Sequence, residues 1–330
     1  MNQISPNDRP VQNILVPTDF STGSEKALLF AATIARNHRS RLTILHIVPP
    51  LLPPLLGVLP PVPPRSEALR AARDQMKQFE ADLRLKGVLR EIESDTAIKR
   101  GEPWKVISRI LRSQGTDLIV MGTHGPTGLK KLILGSFAEV VFRKAPCPVL
   151  TVGPRIPDQA VAESPQRILF PTDGSYVSKT AEPYAFQLGR AAGAELTLLG
   201  VVHSSFASSG RLATVRVKQA KESLRATGLY GAWREGGAPP KLLVEEGSKV
   251  ASILRAAEAT DADVIIMAIS GEDANPEMFT WDDAYQVVCS APCPVLTVRH
   301  TFPDPYFKRL LEMESVGVRG PAAKSEPVRG

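Results

Sequence analysis

From Gly122 to Ser136 the sequence reads Gly-Thr-His-Gly-Pro-Thr-Gly-Leu-Lys-Lys-Leu-Ile-Leu-Gly-Ser, and these residue types at this spacing suit the binding of an anion. Glycines at 122, 125, 128 and 135 carry no Cβ, so the backbone can approach a ligand closely or turn through positive φ. Ser136 then opens a helix-like segment, 137–144, whose first unbonded N–H groups and positive dipole end face the same loop. Helix starts of this kind hold phosphates. Thr123, His124 and Thr127 offer side-chain hydrogen bonds, and Lys130 and Lys131 can either reach outer phosphates as point charges or stay solvated. No Gly-Lys-Ser or Gly-Lys-Thr follows the glycines, and the dinucleotide fingerprint spacing is absent. His124 has no acid or nucleophile that sequence can pair with it, so no catalytic residue is assigned.

The elements that must position this loop are short and regular. Residues 117–121, Asp-Leu-Ile-Val-Met, form an apolar run suited to a buried parallel strand, and 149–152, Val-Leu-Thr-Val, form another. Upstream, 11–19 predicts a strand ending at Pro17, Thr18 and Asp19, 26–36 a helix, and 41–48 a second strand. A strand, helix, strand unit of this length is a right-handed parallel crossover, which brings Asp19 and His46-Ile47 to one carboxyl edge of a sheet. A long amphipathic helix over 66–86 carries Ala68, Ala72, Met76, Phe79 and Leu83 near one face. A third strand over 92–99 and a helix over 102–114 complete five strands alternating with four helices.

Residues 49–64 break this rhythm with eight prolines interleaved with leucines. Proline fixes φ and removes a donor, so the segment reads as an extended, polyproline-like insertion. Its leucines either pack on the domain's own surface, dock a protein partner, or form a flap over the ligand.

After a polar, proline-bearing linker at 154–165 the pattern restarts. Gln166-Arg-Ile-Leu-Phe-Pro-Thr-Asp-Gly-Ser175 repeats Gln12-Asn-Ile-Leu-Val-Pro-Thr-Asp-Phe-Ser21, and Ala291-Pro-Cys-Pro-Val-Leu-Thr-Val298 repeats Ala145-Pro-Cys-Pro-Val-Leu-Thr-Val152. The chain is an internal duplication. In the second copy Ala268 replaces Gly122, Trp281 replaces Gly135 and Asp282 replaces Ser136. An indole where backbone should meet phosphate, a carboxylate at the helix start, and Glu272, Asp273, Glu277 and Asp283 nearby predict that this copy does not bind a triphosphate in the first copy's manner. Asp173 repeats Asp19, so this acid also has a turn or capping role open to it.

Composition sets outer bounds. The length suits two domains, and 43% hydrophobic with 22% charged residues can fill two cores. Three cysteines do not make a disulfide framework, and Cys147 and Cys293 read as small packing residues at repeated strand starts. A net charge of +6 is spread among acids, and aromatics at 6% give no stacking platform, so nucleic acid is not an expected partner. The sequence lacks an apolar run of membrane-spanning length and a signal-like N-terminus, which makes the cytoplasm the expected location and a membrane no partner.

The pattern Gly-x2-Gly-x9-Gly-Ser, flanked by Ile-Val-Met before and Ala-Pro-Cys-Pro-Val-Leu-Thr-Val after, resembles the nucleotide loop of the universal stress protein family, and residues 11–299 resemble two fused copies. The resemblance implies an α/β fold in which each copy is a doubly wound, Rossmann-like five-stranded parallel sheet with helices on both faces, paired side by side through the last strands, 149–152 and 295–298. It implies a tail at 1–10, a domain at 11–153, a second domain at 166–299 with a degenerate motif, and a C-terminal tail at 300–330 that is largely disordered by its composition. It further implies that Pro17 and Asp19 sit beside an adenosine, that the main chain at Ile47 meets adenine, and that Met121, Gly122, Gly125, Gly135, Ser136 and Phe137 surround ribose and phosphates. Thr18, Thr123, His124 and Gly128 complete the candidate set. ATP with Mg²⁺ is then the expected cofactor, held by the first copy, in a regulatory stress-response protein that pairs its domains within one chain and leaves homodimerisation open. Two other readings stand beside it: a slow ATPase or autophosphorylating enzyme, and a nucleotide-independent scaffold.

Overall fold

The computed structural model describes residues 11–50, 65–123, 134–157, 164–202, 211–235, 238–270 and 279–300. The terminal tails, all but the first two residues of the proline-rich insertion, and residues 124–133 and 271–278 lie outside this set.

Strand β1 (Asn13–Thr18) is the axis of the first half. Alternation sends Ile14 and Val16 to one face and Leu15 to the other, and all three are buried, because β1 is flanked by β2 (Arg41–Val48) and β4 (Leu118–Gly122) and covered on both sides. Ile14 pairs with Leu42 on one side and Leu118 on the other, both in parallel. Helices α1 (Thr22–His38) and α2 (Arg65–Leu85) cover one face, with Leu28, Ala31, Met76 and Leu83 in its core. The opposite face takes α3 (Pro103–Gln114) and α4 (Ser136–Lys144), with Ile107, Leu111, Val141 and Phe142. With β3 (Ser94–Arg100) and β5 (Val149–Val152), the strand order of this half is β3-β2-β1-β4-β5.

The second half repeats the plan: β6 (Arg167–Pro171), β7 (Glu195–Val202), β8 (Lys241–Glu246), β9 (Val264–Ile269) and β10 (Val295–Arg299), in the order β10-β9-β6-β7-β8. Asp117 accepts the N–H groups of Gln12 and Asn13 at 2.8 and 2.9 Å. Asp263 does the same for Gln166 and Arg167, both at 2.9 Å. The two sheets fuse where β5 and β10 pair antiparallel, Leu150 opposite Leu296, giving one ten-stranded sheet. Thr151 donates its hydroxyl to the Val295 carbonyl at 3.1 Å and Thr297 returns a bond to the Val149 carbonyl at 3.2 Å, so both buried hydroxyls are satisfied across the seam.

The halves differ most in their first helix. The single helix α1 is represented in the second half by α5 (Tyr176–Lys179) and α6 (Glu182–Ala192). Pro183 supplies the reason: its ring excludes the carbonyl four residues earlier, and that residue, Lys179, is where α5 ends. Past α7 (Arg211–Arg225) the second half also inserts α8 (Gly228–Glu235), whose Trp233 packs on Gly189 of α6. The remaining helices, α9 (Lys249–Ala259) and α10 (Trp281–Ser290), stand where α3 and α4 do.

A Cβ at Gly189 would lie 2.1 Å from the Trp233 ring and 2.8 Å from Ile168 Cδ1. Gly189→Ala should therefore destabilise the protein by about 1–3 kcal/mol through overpacking, although alanine is the better helix former. Urea unfolding checks this, and a stabilised variant would refute the contact.

Candidate functional site

Chain order and strand order diverge between β1 and β4: the chain leaves β1 toward β2 and β3, then returns on the other side as β4. Divergence of this kind opens a crevice at the carboxyl ends of the strands. A cavity of about 240 Å³ lies there, bounded by Pro17, Thr18 and Asp19 from β1, His46 and Ile47 from β2, Met121, Gly122 and Thr123 from β4, and Gly135, Phe137 and Ala138 from the start of α4. Nine of the residues expected from sequence thus share one wall system: Pro17, Thr18, Asp19, Ile47, Met121, Gly122, Thr123, Gly135 and Phe137. Ser136 is the first residue of α4 and is exposed beside it. His124, Gly125 and Gly128, with Thr127, Lys130 and Lys131, lie outside the described residues.

Sequence reasoning passed over Ser24, Leu45, Pro49 and Pro103, which also line the cavity, and left His46 without a role. Pro103 opens α3 at the same edge, with Glu102 as its N-cap accepting the N–H groups of Trp104 and Lys105 at 2.9 and 2.8 Å. These backbone hydrogen bonds hold the Glu102 carboxyl below its ordinary range. The Glu-Pro pair was the available signal, since proline favours the first helical position.

The floor depends on a close approach. A Cβ on Gly122 would sit 2.8 Å from the backbone C and O of Gly23, so the start of α1 rests directly on the end of β4. Ser21 caps α1 by accepting the Ser24 N–H, and the Thr18 and Ser24 hydroxyls meet at 2.9 Å. Asp19 accepts both the N–H and the hydroxyl of Ser21 through Oδ1, at 3.0 and 2.5 Å, an Asx turn that aims the chain into α1. Asp173 serves Ser175 and Ser178 in the same way in the second half. The acid is therefore structural in both copies, whatever else Asp19 does.

His46 Nδ1 lies 2.8 Å from the Thr18 carbonyl, and its ring stacks on Phe20 with centroids 4.5 Å apart. Phe20 has φ 63° where the repeat has Gly174 at φ 72°. A left-handed phenylalanine costs on the order of 1 kcal/mol, which its packing on His46 and Phe79 offsets. Phe20 donates its N–H to Thr18 Oγ1 at 3.0 Å, away from β2. Along β2 the peptide groups alternate sides: Arg41 donates to Gln12, whereas Leu42 donates to Glu93 and Val48 accepts from Gly101. By that alternation the Ile47 carbonyl points to the β1 side, one residue past the last β1 pairing, Thr18 with His46.

The two helix starts facing these edges are electrostatic opposites. Gly135 provides no side-chain cap for α4. At α10, Thr280 and Asp283 form a reciprocal capping box, with the Asp283 carboxylate bonded to the Thr280 N–H at 3.0 Å and Lys249 at 3.8 Å from it. The expectation that Asp282 caps and Trp281 plugs the second crevice is corrected on both points. Asp283 is the capping acid because α10 starts one residue earlier than the repeat offset implies. Trp281 turns instead onto α4 of the first half, its ring 5.8 Å from that of Phe142 and 3.8 Å from the Arg143 guanidinium.

Among the described residues no three His, Cys, Asp or Glu side chains converge as a metal site, and no helix is long and apolar enough to cross a membrane. The cavity offers carbonyl and hydroxyl hydrogen bonds, an apolar wall and a helix start lacking a side-chain cap. That set matches the shape and polarity of a ligand with one flat, partly apolar end and one anionic end.

The family model described as the universal stress protein family matches residues 10–153 and again 165–299. A universal stress protein of Mycolicibacterium smegmatis is 26% identical over 299 residues, covering 87% of this chain and 96% of that protein. The crystal structure of a universal stress protein from Archaeoglobus fulgidus superposes with a TM-score of 0.63 at 22% identity, over 88% of this chain and 98% of that one, and shows the same fold. Another universal stress protein has been solved in complex with cAMP. It is 18% identical, covers 42% of this chain and 100% of its own, and has a TM-score of 0.31.

Gly122→Ala forces the Gly23 backbone to move, so it should cost about 1–3 kcal/mol in urea unfolding. Ala268→Gly, its counterpart, should cost no more than about 1 kcal/mol. Equal losses would show that the approach of α1 to β4 carries no special constraint.

Proposed function

The chain belongs to the universal stress protein family, and on that premise we propose that it is a nucleotide-responsive regulatory protein in which residues 11–153 bind ATP and residues 166–299 form a paired domain that does not. The observation that carries this reading is the contrast between the two α4-type helix starts. Gly135 supplies no side-chain cap to α4, whereas at α10 the N-cap Thr280 accepts the Asp283 N–H and the Asp283 carboxylate accepts the Thr280 N–H. A helix start whose N–H groups have no side-chain cap leaves them for phosphate, and one closed by a capping box does not; the first-turn acid of α4, Glu139, is paired with Arg143 on its own helix.

The ligand's orientation follows from the walls. The Ile47 carbonyl, past the end of β1, accepts the 6-amino group of adenine, with Ile47 itself and Pro17 as apolar walls. Asp19 keeps Oδ1 on Ser21 and turns its other oxygen toward the ribose. Phosphates meet the N–H groups that open α4 at Ser136 and Phe137, where Gly122 and Gly135 let the chain come close. Mg²⁺ accompanies the nucleotide, screening its phosphates against the cytoplasm. His46 donates its Nδ1–H to the Thr18 carbonyl, and the Ser24 hydroxyl is held by Thr18 and Ser21, so both side chains brace the wall on which the base would rest.

Calorimetric titration of the full chain with MgATP should give a stoichiometry near one, with GTP weaker by about ten-fold or more because its 6-oxo group faces the Ile47 carbonyl. Mass spectrometry of nucleotide released from freshly purified, denatured protein should identify an adenine nucleotide and tell ATP from cAMP. Two sites per chain, or equal affinity for GTP, would overturn the assignment.

A further inference from the structure

The second half reaches the first half's site through α10. The Leu134 N–H, one residue before Gly135, donates to the Tyr285 hydroxyl at 3.3 Å, next to the buried Cys289 of the same helix. Leu134 is 1% exposed and Cys289 3%, so the contact lies against the core, with Tyr285 itself half-buried. On the cavity side, the Gly135 N–H is fixed to the Thr123 carbonyl at 2.8 Å. The two consecutive amides that lead into α4 are thus held from opposite directions, one by the site itself and one by the other half.

This contact has no mirror image. By the repeat offset Glu139 stands for Tyr285 and Arg143 for Cys289. Glu139 instead pairs with Arg143 on its own helix at 3.5 Å, and Arg143 lies over the Trp281 ring. Trp281 in turn stacks on Tyr285, with centroids 5.0 Å apart, so the ring carrying the hydroxyl is backed by an indole clamped between Phe142 and Arg143. A duplicated seam that served packing alone would repeat the contact on both sides. Among the described residues, the α4 start receives a hydroxyl from the other half through Tyr285, whereas Glu139, at the matching place, bonds within its own helix.

We infer that Tyr285 is a positioning residue for the nucleotide site of the opposite half, and that occupancy of that site is felt at α10. The inference rests on the nucleotide reading above. Ligand that draws the amides of α4 toward phosphate tightens the Leu134–Gly135 turn against Tyr285, and a turn released from Tyr285 must be ordered at the expense of binding.

The test is hydrogen exchange on the full chain, with and without MgATP, for the unsubstituted protein and for Tyr285→Phe, beside calorimetric affinities for both. MgATP should slow exchange in segments 11–24 and 118–123 and also in 281–290. Tyr285→Phe, which keeps the stacked ring, should weaken ATP binding about three- to ten-fold, the loss of one buried hydrogen bond, and abolish the slowing in 281–290 while that in 11–24 persists. If MgATP leaves 11–24 unchanged in the unsubstituted protein, the nucleotide reading fails and this inference with it. Should 11–24 respond while 281–290 does not, or Tyr285→Phe bind and protect like the parent, the inference alone falls. The measurement on the unsubstituted protein stands even where the variant is less stable.

Discussion

The antiparallel pairing of β5 with β10 is the constraint from which the rest of the architecture follows. Each half alone would end in an exposed strand edge, a template for unwanted association. Pairing those edges within one chain removes both, at a seam where Leu150 and Leu296 pack and two threonine hydroxyls satisfy carbonyls across it. An antiparallel join of two like sheets also fixes a local two-fold relation, which sets α4 and α10 against each other. Every contact between the halves described above, from Arg143 on Trp281 to Leu134 on Tyr285, depends on that placement.

Within the shared frame, small changes in backbone packing separate the two copies. In the first, glycine at both 23 and 122 lets a continuous helix start on the end of its strand. In the second, Val177 and Ala268 occupy those places, and Pro183 divides the helix. The altered copy then needs another way to cover its sheet, and α8 with Trp233 against Gly189 provides it. Charge follows the same division: the helix start that lost its glycine gained a capping box, so its dipole is met by Asp283 rather than by solvent or ligand.

How much of this was legible in the sequence depended on the range of the interactions. Strands β2 and β5 have the bounds that apolar runs predict, because a strand covered on both faces leaves little freedom in what it contains. Helix α1 begins four residues before the apolar periodicity suggests, since Ser21 caps it, a local signal that a closer reading of the turn after Asp19 would have caught. The same holds for the break at Pro183. Helix α8 carries no comparable signature, because its reason is a tertiary gap over Gly189. Parallel topology placed Asp19 and Ile47 at one edge and glycine spacing pointed to Gly122 and Gly135, whereas Pro17 and Met121 came from the family resemblance. Pro103 and Ser24 needed knowledge of which helix starts converge at that edge. Trp281 was misplaced for the same reason: the repeat offset says where its Cα lies, not which half its indole joins.

Asp19 shows why duplication alone does not identify a binding residue. The acid occurs in both copies and closes the same Asx turn in both, so its presence is accounted for before any ligand is considered. Gly122 and Gly135 carry more information because they differ between the copies, Gly122 where α1 rests on its strand and Gly135 at a helix start without a side-chain cap. The alanine at 268 is buried in ordinary contact, so a side chain at that strand position is tolerable once the helix above it is divided. The first copy holds the more demanding arrangement, with glycine against glycine, an uncapped helix start and a left-handed Phe20 stacked on His46. Each borders the same crevice. The sister copy has Ala268, the Thr280–Asp283 capping box and Gly174 at the matching places, so the local features that set the two copies apart gather around the first crevice.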